Sequence, residues 1–255
     1  MGRLIYFLIL VTLLFAACNK NSDQVKGSIN AASGQLLKVE ILAFADTVDN
    51  LSHWINKQES LVYTLGDYSF HVSRYLNNSQ VSLYIEHGSS GDYGYTEKRY
   101  YLKDGKVVLY IKVQKNSMTE LSFKTVRTFY TNGDLFYSDQ KSAKTENELD
   151  SLSYQMNDTP EGHIDDDMKK LNDAIYQRGQ FDLVFDGITE YPKAKYLIFS
   201  RNSVNAYRAP VLVEKEDDFI KAISLNPGKY RGRKLKITWT LRNTNQAIYV
   251  SGGLP

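Results

Sequence analysis

The chain has 255 residues, with 31 Lys and Arg against 29 Asp and Glu for a net charge of +2, and 42% of its residues are hydrophobic. It is long enough to bury a core without covalent staples, and its single cysteine, Cys18, excludes internal disulfides and multi-thiolate zinc sites. Tyrosine, which occurs 19 times, has an apolar body and a polar tip that suit half-exposed strands. Its abundance predicts β-sheet, with sugar or peptide binding as a second use of the same residue.

The N-terminus reads as a processing signal. Met1-Gly2-Arg3 is a basic start, Leu4 to Ala17 is a 14-residue apolar run, and Leu14-Phe15-Ala16-Ala17-Cys18 ends it. A spanning helix needs about 20 apolar residues and a signal core roughly 7–15, so the run fits a signal. The ending resembles the lipobox of bacterial lipoproteins, with Phe15 where such boxes usually carry Leu or Val. The resemblance implies a signal peptide over 1–17, cleavage before Cys18, acylation of its thiol and new amine, and a membrane anchor in the bacterial cell envelope, at the outer membrane. No thiol then remains for nucleophilic catalysis. Residues 18–34, polar and rich in Asn, Ser, Gly and Ala, are expected to form a flexible tether.

Over 35–57, Leu37, Ile41, Phe44, Val48, Leu51 and Ile55 recur at spacings of three and four and predict an amphipathic helix. Asp104-Gly105 between two apolar runs predicts a two-residue hairpin, because both central positions of a type I′ turn need positive φ. Strict alternation from that turn pairs Tyr100 with Leu109. It also puts Tyr100, Leu102, Val107, Leu109, Ile111 and Val113 on a core face, and Arg99, Tyr101, Val108, Tyr110 and Lys112 on the other. Asn132-Gly133, 28 residues on, repeats the pattern, and Asn77-Asn78-Ser79 is a weaker earlier copy. An aromatic strand followed by such a turn resembles MORN-type repeats, whose regular glycines are missing here. The preferred reading over 35–140 is a six-strand antiparallel meander covered on one face by the helix.

Over 141–180 a helical connector is expected. Thr145-Glu146-Asn147-Glu148 is a capping box, and Ile164, Met168, Leu171 and Ile175 share one face of a second helix that Gly179 ends. A charge shift coincides with this stretch. Residues 19–180 hold 18 Lys and Arg against 22 Asp and Glu, net −4, whereas 181–255 hold 12 against 7, net +5. The last segment reads as three strands, a short helix and two strands. That order, with Pro227 to Trp239 leading into the fourth strand, resembles an OB-type barrel, a small SH3-like barrel being the competitor. The expected fold class is therefore α+β, a helix packed on an antiparallel meander followed by a small OB-like β domain over 181–255.

Chemistry-bearing motifs are sparse. His163 with Asp165, Asp166 and Asp167 has ligand-type residues, but acids at a helix start answer to the helix dipole, and no metal or cofactor is expected. His53, His71 and His87 are scattered, and no G-x-S-x-G elbow or phosphate-binding glycine loop appears. Alternation sends Trp239 inward with Leu235, Ile237 and Leu241, leaving Lys234, Lys236 and Arg242 outward. With Lys229, Arg231 and Arg233, and with Tyr207 and Tyr230 nearby, these form a candidate partner-binding patch. Behind an envelope signal, nucleic acid is not expected, and a protein or an anionic cell-surface polymer takes its place. The expectation is a non-enzymatic lipoprotein held by Cys18, the alternative being an envelope hydrolase acting on glycan or peptidoglycan.

Overall fold

A computed structural model describes residues 23–254 apart from 54, 161–163, 204 and 244, so the signal peptide, Cys18 and His163 lie outside the described residues. No helix among the described residues is long and apolar enough to cross a membrane. The chain divides into two compact units, 1–43 and 44–255. In the first unit, helix α1 (Asp23–Leu51) already begins within the stretch expected to be a tether, and Ile41 is buried while Leu36 and Val39 are exposed.

The second unit contains the end of α1 and a β-rich sheet, an α+β arrangement. Strands β1 (Asn56–Glu59) and β2 (Tyr63–Leu65) precede the six-strand meander, which is present as expected. It comprises β3 (Tyr68–Asn77), β4 (Gln80–Ser89), β5 (Gly94–Lys103), β6 (Lys106–Asn116), β7 (Phe123–Thr131) and β8 (Asp134–Ala143). Asn78-Ser79, Asp104-Gly105 and Asn132-Gly133 all have positive φ at both central positions, so the three hairpins turn alike.

Each hairpin also carries one unpaired residue four positions beyond the first turn residue: Ser82, Val108 and Phe136. This bulge corrects the alternation. Tyr100 lies opposite Tyr110, not Leu109, and Tyr101 lies opposite Leu109, because one extra residue exchanges the faces beyond it. Both faces are covered. Tyr101 donates its hydroxyl to Asp49 of α1 at 2.9 Å, whereas Tyr100 donates to Asp167 on the opposite face, also at 2.9 Å.

Asp167 belongs to α3 (Ile164–Ile175), which follows α2 (Glu146–Ser151) and the two-residue strand β9 (Gln155–Met156). Thr145 caps α2 by accepting from the Glu148 N–H at 3.2 Å, while the Glu148 carboxylate accepts from the Lys144 N–H at 3.1 Å. Strands β10 (Val184–Tyr191), β11 (Ala194–Ser200) and β12 (Arg208–Val213) come next. They lead through helices α4 (Asp218–Leu225) and α5 (Pro227–Tyr230) to β13 (Lys236–Arg242) and β14 (Gln246–Gly253).

The elements of 181–255 match the expected order, but the OB-like or SH3-like barrel is corrected to part of an open sheet. Its strand order runs β10-β11-β12-β2-β3-β4-β5-β6-β7-β8-β9, so the strands on either side of 141–180 share one sheet. The join is at β12, where Arg208 pairs with Thr64 of β2 and Val211 with Ala247 of β14. Pro210, which has no N–H to donate, sits where the neighbour changes. Aromatic packing seals the join, with the rings of Tyr63, Phe70, Phe181 and Tyr207 in mutual contact at 4.6–6.3 Å.

Candidate functional site

On β10–β12, alternate positions face opposite ways. Phe185, Leu197, Phe199, Ala209 and Val211 enter the core. A bulge at Asp186 then puts Gly187 opposite Ile198, and Ile198 opposite Pro210, on the outer face. Side chains on that face normally keep a sheet soluble; here Tyr196, Ile198 and Pro210 are half-buried. They floor an open groove of about 800 Å³, within the roughly 300–1,000 Å³ of ligand sites. It crosses the strands from Arg231 and Tyr191 at the β10 end to Arg208, Thr64 and Asn245 at the branch.

Tyr191 is 62% exposed, and its ring meets Tyr196 edge-on at 6.1 Å. The Arg231 Nε donates to the Asp186 carbonyl at 2.6 Å, and the same guanidinium stands 3.6 Å from the Asp186 carboxylate. Its Nη2 lies beside Gly187, where an added Cβ would be 3.6 Å from it. Among the lining residues Asp186 is the one carboxylate, against Arg208 and Arg231. The groove therefore offers aromatic surface, amides from Asn245 and Gln246, and two guanidiniums, the residue types enriched where proteins hold partners.

The residues expected to form a basic patch take several different positions. Arg231 reaches the groove. Lys234 pairs with Asp182 and Arg242 with Glu214 at 2.7 Å, while Lys229 lies over the Tyr230 ring at 5.7 Å. Arg233 and Lys236 are exposed, and inward Trp239 donates Nε1 to the Ser60 carbonyl at 3.2 Å. Tyr230 is a core residue, 9% exposed, and Tyr207 is half-buried in the aromatic join against the core. Arg208, Tyr191, Tyr196 and Pro210 were not singled out from the sequence. The available signal was an apolar outer row, Tyr196, Ile198 and Pro210, at alternate positions where charged residues would serve solubility.

A second polar constellation lies on the α1-covered face of the meander. Arg99 bonds Glu97 at 2.6 Å, Glu97 bonds His87 at 3.1 Å, and His87 stacks on His71 at 4.8 Å. The His87 hydrogen bond outweighs burial and, with Arg99, holds the Glu97 carboxyl down at about 2. No group of three or more His, Cys, Asp or Glu suited to a metal occurs among the described residues. Compared with known proteins, the chain matches no family model, no curated protein and no solved structure.

Proposed function

We propose that this chain is a non-enzymatic binding protein of the bacterial cell envelope, tethered at the outer membrane through a lipidated Cys18, and that it holds a protein or an anionic cell-surface polymer. The observation that carries the reading is the groove across β10–β12, where an apolar floor on the solvent side of a sheet is flanked by Arg208 and Arg231. An apolar outer row is costly unless something covers it, and two arginines select for an anionic group in whatever does. The lipobox-like ending at Cys18 supports the anchor.

Two measurements test this. Cys18→Ser is expected to abolish fatty-acid labelling, and labelling that persists overturns the anchor. Arg208→Glu with Tyr191→Ala is expected to remove envelope components crosslinked to the parent protein while leaving the melting temperature within a few degrees. Exposed substitutions of this kind typically change stability by about 0.5 kcal/mol. An unchanged crosslinking pattern places binding away from the groove.

A further inference from the structure

The groove across β10–β12 carries its charge and its aromatic surface at different ends. Gly187, Ile198 and Pro210 form one row across the three strands, and Thr189 and Tyr196 form the next, toward Tyr191 and the β10–β11 turn. Arg208 lies the other way, opposite Ser200 and two residues before Pro210. Tyr191 is level with Ala194 and Arg208 with Ser200, six residues apart on β11, which is about 20 Å of strand.

The two guanidiniums of the lining differ. Arg231 is held by Asp186, through the carbonyl at 2.6 Å and the carboxylate at 3.6 Å, so its charge is already matched. Arg208 is exposed and forms no ion pair among the described residues. The nearby acid Glu190 of β10 is engaged by Lys195 at 2.8 Å. Arg208 is therefore the lining cation open to an incoming anion, and a guanidinium suits a carboxylate.

The floor suits a sugar better than a peptide. Tyr196 and Ile198 stand on β11, whose backbone is paired by β10 on one side and β12 on the other, so it has no main-chain groups to give an incoming strand. A peptide lying there would desolvate its own N–H and C=O groups against apolar side chains. A sugar ring lays its C–H face on an aromatic surface and keeps its hydroxyls at the rim, in water or against Thr64, Thr189, Asn245 and Gln246. Tyr191, 62% exposed and met edge-on by Tyr196 at 6.1 Å, presents such a surface.

Resting on the groove reading of the proposed function, we infer that the occupant is an acidic polysaccharide, a polymer of carboxylate-bearing sugars. One sugar ring stacks on Tyr191, the chain runs over Ile198 and Pro210, and the carboxylate of a sugar further along meets Arg208. The separation of the two ends makes the site one for several linked sugars, not for a single ring.

The test uses the full chain in detergent with polygalacturonate and alginate as acidic polysaccharides, and with dextran, polyglutamate and polyphosphate as comparisons. At least one of the two polyuronates is expected to bind, and the three comparison polymers about tenfold more weakly or not at all. Free galacturonic acid should fail to compete, because a single ring cannot reach both ends. Arg208→Gln should weaken polyuronate binding about tenfold and flatten its dependence on salt. Tyr191→Ala should weaken it about tenfold and leave the salt dependence in place, since stacking is not screened. Should Arg208→Gln melt early, Tyr191→Ala alone carries the test. Binding of neither polyuronate, or binding that survives the substitutions, overturns the inference. So does polyglutamate or polyphosphate binding as tightly as the polyuronates. If crosslinking to envelope components still depends on Arg208 and Tyr191 in that case, the proposed function stands with a protein as the occupant. If that crosslinking is unchanged as well, both fall.

Discussion

Arg127 and Asp139 show how a single pair organises this sheet. They face each other across β7 and β8, joined by two hydrogen bonds of 2.7 Å, with Asp139 fully buried and the Tyr154 ring 3.3 Å from the guanidinium carbon. Replacing Asp139→Ala leaves a largely buried guanidinium without its counter-ion and is expected to cost roughly 3–5 kcal/mol in chemical denaturation. A loss below about 1 kcal/mol would show that Arg127 is solvated instead. Glu97 makes a different prediction, in pH. Its carboxyl is held at about 2 in the folded chain, against an ordinary 4.5, first by His87 and then by Arg99. A depressed carboxylate contributes stability above its unfolded pKa and loses it as pH falls through the folded one. The parent's melting temperature should therefore fall between about pH 4.5 and pH 2 more steeply than that of Glu97→Gln, read by circular dichroism. Parallel curves would mean that the His87–Glu97–Arg99 chain contributes nothing to the fold.

At the scale of elements, the meander is three copies of one hairpin, each with a type I′ turn and a bulge four residues after its first turn residue. Two of the turns were legible because Asp-Gly and Asn-Gly tolerate positive φ at both positions; Asn78-Ser79 adopts the same conformation with less favourable residues. The bulges were not legible. Ser82, Val108 and Phe136 share no chemistry, and a bulge is a tertiary compromise in sheet twist and packing. Glycine substitutions separate the two sources of strain. Gly105 has φ of +77° with open space around its absent Cβ, so Gly105→Val is expected to destabilise by roughly 1–3 kcal/mol through backbone strain alone. At Gly94, with φ of +138°, a Cβ would fall 2.0 Å from the Lys115 carbonyl oxygen, so even Gly94→Ala should cost more than Gly105→Val. The reverse order in thermal melts would contradict the β5–β6 register. The apolar face of α3 was read correctly from Ile164, Met168, Leu171 and Ile175, but the helix ends at Ile175 rather than at Gly179, which opens a short 3-10 turn; that Tyr84 and Tyr100 would hydrogen-bond to α3 came only with the fold.

At the scale of the molecule, residues 44–255 should unfold in one calorimetric transition, because the sheet and the aromatic join run through both sides of 141–180. Phe181→Ala removes a fully buried ring packed on Tyr63 at 4.6 Å and on Tyr207 at 4.9 Å. It is expected to cost about 3–5 kcal/mol and to lower the near-ultraviolet and far-ultraviolet melts together. Two separated transitions would show independent domains. The identities of the meander strands, the turns and the inward face of β13 follow from local composition and period, which depend on neighbours a few residues away, and these were readable directly. What the tertiary structure decided is everything that depends on pairing at long separation. Arg208 meets Thr64, Arg231 meets Asp186, and Tyr207 packs into the aromatic join rather than beside the C-terminal basic residues. An open sheet could replace the expected barrel because strand order is set by which edges meet, and no local period encodes that. The groove exists only once β10–β12 are aligned in register, since it is not a segment of sequence.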